Sequence, residues 1–458
     1  MTTTVFKGDS PPITSMDDLL AHFRSGEKPR ERWRIGTEHE KIPFYRSTHQ
    51  PVPYEGERGI GAMLDLFHTR FGWSPVREGG NVIALTRGQA SITLEPGGQL
   101  ELSGAPLSTS HETCMELGQH LREVSEISEE MGVAFLNMGR NPSVLSPDMP
   151  WMPKERYAIM REYLSGRGTM ALDMMLGTAT VQVNIDYGDE ADMVHKMRAA
   201  MGVAPLLTAI YANSPFAGGA PTGYLSTRSR IWEDTDKHRT GFFDGLFSPD
   251  FGYRAYVEYA LDVPMFFIHR DGHYLNMAGH SFRRFMDEGY QGHIATMEDW
   301  ELHLTTIFPM VRLKKYIELR MADVGPLGMI CAFPALARGL FYDDQALAET
   351  GVLASAFCGE STTELTRLES AAAREGLRAQ SNGRAFREWA RELLDICKGG
   401  LQRLGAQDAL GEDERGYLHP LEKIVDSGTT LADGLLKRYH GDWGGGIDGA
   451  FTTPDTLF

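Results

Sequence analysis

The sequence predicts an α+β fold. One sheet carries an apolar and a polar face, helices pack outside it, and the C-terminal part is helical. Three observations carry this. Four short stretches alternate apolar and polar residues with a period of two, as strands of a one-sided sheet do. Helical periodicities fall between them without a regular βαβ alternation, which points to antiparallel connections. From about residue 336 the composition shifts to Ala, Leu, Glu and Arg with no clear strand. We expect one unit over 1–458, with a sheet-bearing part to about 335, a helical part over about 336–443 and a loose tail over 444–458.

The elements follow in order. Ser15 caps a short helix to about Phe23, with Asp17 and Asp18 in its first turn. Arg34 to Phe44, RIGTEHEKIPF, reads as a half-buried strand. Gly59–Phe71 reads as a helix, and Asn81–Leu85 and Ala90–Leu94 as paired strands. Glu95-Pro96-Gly97-Gly98-Gln99 is a tight turn by composition, leading into strand Leu100–Leu102. Ser110–Met131 is a long helix, 137–152 a proline-bearing loop, and Lys154–Leu164 a helix. Thr178–Tyr187 is a strand, and Asp189–Ala212 a helix expected to kink or break at Pro205. The Gly-rich stretch 217–252 is read as a long loop that is functional or carries short helices. Val263–Arg270 and Tyr274–Met277 are strands, Met297–Ile307 a helix, and Tyr316–Met321 a strand. Ala346–Phe357, Thr362–Gln380, Ala385–Leu404 and His419–Tyr439 are helices.

Composition narrows the function. The net charge of −17 argues against general nucleic-acid binding and against an anionic membrane surface. No run approaches a membrane span, and the first residues show no signal-type apolar core. Cys114, Cys331, Cys358 and Cys397 are far apart and form no CxxC. They read as buried thiols, and a cytoplasmic setting is expected. No phosphate loop, dinucleotide fingerprint, HExxH, GxSxG or kinase signature is present.

What stands out is the polar face of the four strands. Residues i and i+2 of a strand share a face, so Glu38 and Glu40 point the same way, about 6.6 Å apart along the strand. Thr37, His39 and Lys41 point the other way. One such pair is ordinarily a solvated edge. The pattern recurs, however, in Gln99 and Glu101 (with Glu95 just before the turn), in Thr180, Gln182, Asn184 and Asp186, and in Glu318 and Arg320. Carboxylates converging on one concave face need cations, and Mg²⁺ is the hard, oxygen-seeking ion that completes its shell with nucleotide phosphates. Arg228 and Trp232 lie four apart, on one face if that piece is helical; a surface Arg stacked on Trp has the same spacing. Arg156 is a weaker basic candidate.

Seven segments together resemble the plant-type glutamate–cysteine ligase family of plants and proteobacteria. They are RIGTEHEKIPF, ITLEPGGQLELSG, MPKERYAIM, TATVQVNIDY, ANSPFAGGAPTGYLSTRSRIWEDTDKHRTG, YALDVPMFF and HLTTIFPMVRLKKYIELRMAD. They span about residues 33–335, with a weaker echo to about Trp443. The resemblance implies a glutamine-synthetase-like curved antiparallel sheet with a polar inner face and helices outside. It implies ATP- and Mg²⁺-dependent joining of the L-glutamate γ-carboxylate to the amine of L-cysteine through a γ-glutamyl phosphate, the first step of glutathione synthesis. Two or more Mg²⁺ ions are expected, on Glu38, Glu40, Glu95, Glu101 and Glu318, with Glu38, Glu40 and Arg320 catalytic. Arg320 and Lys314 would meet the nucleotide. Arg228, Trp232, Arg156, Gln182 and Asn184 would meet substrate. A monomer or homodimer is expected. Plant members can form regulatory disulfides, but no secure equivalent pair is read from the four cysteines. Two alternatives stay open, a carboxylate–amine ligase with another acceptor and a non-catalytic relative. The second should have lost the acidic face, which this chain keeps.

Overall fold

The computed structural model describes residues 10–458; the nine leading residues, part of the segment read as lacking a signal core, lie outside that range. Its main sheet holds β1 (Ile35–Tyr45), β2 (Ser74–Glu78), β3 (Asn81–Arg87), β4 (Ala90–Leu94), β5 (Leu100–Ser103), β6 (Val133–Leu136), β7 (Thr180–Ile185) and the strands Val311–Leu313 and Ile317–Asp323. From one edge the order is Val311–Leu313, Ile317–Asp323, β7, β1, β5, β4, β3, β2, and β6 pairs with the far end of β1. Every pairing is antiparallel. The four strands predicted from their alternation are thus neighbours, with β1 in the middle. The sequence did not reveal β2, β6 and Val311–Leu313. All three are short; β2 and Val311–Leu313 pair with the strand that follows each of them, and only β6 takes a partner distant along the chain, β1.

Helices α1 (Met16–Arg24), α2 (Ile60–Phe71), α3 (Ser110–Met131), α4 (Glu155–Leu164), α5 (Ala171–Gly177), α6 (Glu190–Ile210) and α7 (Thr227–Glu233) precede α8 (Tyr253–Asp262), α9 (Phe282–Glu288) and α10 (Met297–Leu304). The C-terminal part holds α11 (Leu327–Phe341), α12 (Asp344–Cys358), α13 (Thr362–Glu375), α14 (Phe386–Leu404), α15 (His419–Ser427) and α16 (Leu431–His440). The composition change near residue 336 falls inside α11. The apolar face of the sheet, Val181, Val183, Ile185, Ile317 and Leu319, packs with α6 and α11 in one large core.

Several expectations change. β1 is buried along both faces, because α3 covers its second face and sets His120 against His39, ring centroids 5.7 Å apart. α6 runs through Pro205 as one helix; its residues from Ala199 to Ile210 are buried, and that packing offsets the hydrogen bond proline cannot donate. The helix expected over 419–439 stops at Gly428, which takes φ 70°. The long stretch 217–252 does carry a short helix, as one of its two readings had it: α7, capped by the Ser226 side chain. The tail is not loose. Leu457 bridges Leu136, the Phe458 amide donates to the Phe135 carbonyl at 3.1 Å, and Phe451 packs edge-on to Phe44. Cys114 and Cys331 are not free thiols but a disulfide joining α3 to α11. Sequence separation hid this pair, since only the packing of the two helices brings the Cα atoms to 5.4 Å. Cys358 and Cys397 are buried and free, as expected.

Candidate active site

Register builds the polar face row by row. Glu40 of β1 stands opposite Glu101 of β5, and Glu101 opposite Thr93 of β4. Glu38 stands opposite Gln182 of β7. Asn184 of β7 stands opposite Glu318, and Glu318 opposite Arg312 on the edge strand. The turn between β4 and β5 then swings Glu95 into the first row. That turn admits only glycine at two points: a Cβ on Gly97 would sit 2.1 Å from the Leu176 carbonyl oxygen, and Gly98 takes φ 87°.

Carboxylate oxygens of Glu40, Glu95 and Glu101 lie within 4.8 Å of one another, and all three residues are buried. Burial, then Glu95 and Glu101, push the Glu40 carboxyl well above its ordinary range. The Thr180 amide donates to Glu40 Oε2 at 3.0 Å, and the Ser103 hydroxyl to Glu101 Oε1 at 2.6 Å. A site of three converging acids suits a hard divalent cation. Glu38 and Glu318 stand outside this cluster. Glu38 accepts from Asn184 Nδ2 at 2.9 Å, and burial, Glu318 and Glu101 raise its pKa. Glu318 is surrounded by cations: Arg312 at 2.6 Å, Arg320 at 2.9 Å and Lys314 at 3.3 Å. Despite burial they hold it ionised, well below the ordinary range. For Lys314, burial is opposed by Glu318, Tyr316 and Glu38 together, and the pKa is raised.

The predicted basic residues also gather, with one exception. Arg320 donates to Gln182 Oε1 at 2.6 Å and lies over the rings of Trp232 and Phe308. Arg228 and Trp232 do share a face of α7, with the guanidinium 5.9 Å from the ring. Arg228 is buried and donates to the backbone carbonyls of Arg320 (2.9 Å) and Met321 (3.3 Å). Its backbone is pinned by Ser214, which with Ser226 also binds Asp323. A narrow cavity is bounded by Glu40, Glu95, Gln182, Arg228, Trp232 and Arg320. Arg156 is not on its wall. It is buried beside Tyr157 and Tyr274, where the Glu95 charge acts on it. Asn184 is spent on Glu38.

Sequence reasoning missed Arg312, Lys154, Phe308 and Asp323. Lys154 is buried beside the acidic cluster, donates to the Leu94 carbonyl at 2.8 Å, and is brought down to about 7 by burial and Arg156 against the pull of Glu95 and Glu101. Only Arg312 carried a readable signal, the alternation of VRL ahead of YIEL.

The model of glutamate-cysteine ligase family 2 matches residues 34–453. The chain belongs to the glutamate-cysteine ligase family 2. Within this family, the chloroplastic glutamate–cysteine ligase of Nicotiana tabacum is 45% identical over 443 residues, 96% of this chain and 82% of that protein. The Arabidopsis thaliana chloroplastic enzyme is 44% identical over the same shares. A crystal structure of glutamate–cysteine ligase from Francisella tularensis in complex with AMP has the same fold, with TM-score 0.54 and 12% identity, over 89% of this chain and 85% of that one. Family, fold and ligase activity thus stand as the sequence implied. The cytoplasmic setting does not, because these plant relatives are chloroplastic. The cysteines that suggested it were misread, since two of them are bonded. Among the described residues, no helix is long and apolar enough to cross a membrane.

Proposed function

We propose that this chain joins the γ-carboxylate of L-glutamate to the amine of L-cysteine at the cost of ATP, with Mg²⁺ held by Glu40, Glu95 and Glu101. The observation that carries the reading is the cluster of those three acids, two of which, Glu40 and Glu95, share one cavity with Arg228, Trp232 and Arg320, in a member of this family. Bound there, Mg²⁺ would neutralise phosphate charge and hold the phosphates in line for transfer.

The chain's own residues do the rest. Arg320, anchored by Gln182 and Glu318, offers its guanidinium to the transferring phosphoryl group. Glu318 serves to hold Arg312, Arg320 and Lys314 in place; it is not read as a ligand of the first ion, since their charges already satisfy it. Glu38, which forms no ion pair among the described residues, is the remaining acid for a second ion. Arg228 supplies positive charge for a glutamate carboxylate, and Trp232 walls the aliphatic chain. In the first step a γ-carboxylate oxygen attacks the terminal phosphorus and ADP leaves. In the second the cysteine amine attacks the acyl carbon, phosphate leaves and the amine loses a proton.

The test is phosphate release from ATP with Mg²⁺ and glutamate, run with cysteine, with other amines and with no acceptor. Release that requires glutamate and is fastest with cysteine is the expected result. Release independent of glutamate would refute the ligase reading, and equal release with another amine would make the acceptor something else.

A further inference from the structure

The helical C-terminal part meets the helix that carries Arg228 and Trp232 through α13. Glu369, on α13, is 2% exposed, and its Oε1 accepts from the Thr208 hydroxyl of α6 and the Ser229 hydroxyl of α7, each at 2.7 Å. Ser229 follows Arg228 directly, and its amide caps on Ser226. Glu369 thus ties the helix that carries Arg228 and Trp232 to two long helices outside the sheet.

The second observation is a set of three polar atoms. Arg228 Nε, Trp232 Nε1 and Glu369 Oε2 are all buried and have no hydrogen-bond partner among the described residues. All three residues line the same small cavity, together with Arg320 and Met310. Two donors and one carboxyl oxygen on one enclosed space complement each other chemically. Buried polar atoms are costly without partners, so such a grouping is retained where it holds a geometry. The Arg228 charge faces Glu369, and so does the Glu233 carboxylate from α7, with opposite effect on it.

We propose that Glu369 is a positioning residue for the glutamate pocket, setting the orientation of Arg228 and Trp232 through Ser229 and through the space its free oxygen shares with them. The proposal rests on the reading of Arg228 and Trp232 as the glutamate-binding pair. Glu369 touches neither substrate nor metal. Its removal changes glutamate affinity more than it changes the nucleotide side, because the Arg320 guanidinium is held by Gln182 and Glu318 and only the Arg320 backbone carbonyl accepts from Arg228.

Steady-state kinetics of E369A, E369Q, S229A and R228K, with melting curves for each, test this. E369A should raise KM for glutamate by about tenfold or more, with KM for ATP within twofold. E369Q should restore KM for glutamate to within about threefold, since its amide oxygen accepts from Thr208 and Ser229 as the carboxyl does. Should E369A fail to fold, S229A removes one arm of the clamp and should give a smaller rise of the same selectivity. Unchanged KM for glutamate in folded E369A or in S229A, with R228K raising it, overturns the role of Glu369 alone. Equal rises in both KM values mark a merely structural residue and also overturn it. Unchanged KM for glutamate in R228K refutes the pocket assignment beneath it.

Discussion

Replacing Glu40 with Gln should stabilise the metal-free protein while disabling it. Glu40 faces Glu95 and Glu101 within 4.8 Å. At an effective dielectric of about 20, each such like-charge pair costs about 3.5 kcal/mol, so about 7 kcal/mol if all three stay ionised. Glu40 has a cheaper escape, which is to take a proton. From an ordinary carboxyl value of 4.5, protonation at pH 7 costs about 3.4 kcal/mol, and this caps the penalty. The folded pKa is raised, so the stability this carboxyl contributes is full below about pH 4.5 and is lost as pH rises toward the folded value. E40Q removes that loss, because Gln is neutral and its amide oxygen still accepts from the Thr180 amide. In EDTA-treated protein the gain should be about 3 kcal/mol at pH 7 and about 0.7 kcal/mol at pH 5. With an unfolding entropy near 2.1 cal/mol/K per residue over 458 residues, that is about 3 °C in Tm at pH 7. The assay is calorimetric melting at both pH values, repeated with saturating Mg²⁺, where wild type gains stability by mass action and E40Q does not. An E40Q protein no more stable than wild type at pH 7, or one that keeps the Mg²⁺ shift, refutes the crowded-carboxylate site.

Three further outcomes are expected. R320K should lower kcat by about 100-fold with KM for glutamate little changed, since a point charge cannot hold Gln182, Glu318 and a phosphoryl group as a fork does; initial-rate kinetics show it. C114S should cost about 5 kcal/mol of unfolding free energy in the chain-entropy model for a link across 217 residues, read from denaturant midpoints against oxidised wild type. Lys41 is fully buried behind the sheet and burial brings it down to about 7 against the pull of Glu101 and Glu40. Its folded pKa lies below the unfolded 10.5, so wild-type stability relative to K41M should rise by about 1.4 kcal/mol per pH unit between 7 and 10.5, and urea unfolding at pH 7 and 9 checks it.

The four-strand pattern was legible because a period of two is written in neighbouring residues, and β1, β5, β7 and Ile317–Asp323 carried it in full. The helices with strong caps were legible for the same local reason: α3 begins at the Thr109 capping box and ends at Gly132. Pairing partners, the disulfide and the docking of the tail were not. Apart from the hairpins, each joins residues tens to hundreds of positions apart, as β1 does with β5, β6 and β7, and no local spacing records such contacts.

The sequence alone determined which side chains share the inner face, because alternation along a strand fixes direction without knowledge of the neighbour. It also determined, by resemblance, the reaction class that such a face serves. The tertiary structure decided which acids stand together. Antiparallel register puts Glu40 across from Glu101 and a glycine turn adds Glu95, while Glu318 is claimed by Arg312, Arg320 and Lys314. It also decided that Arg156 stands off the acid-lined cavity and that Glu369, from a helix with no strand pattern near it, lines the neighbouring cavity it shares with Arg228 and Trp232. Direction along a strand is a local property of the chain, whereas distance between strands and helices exists only after they pack.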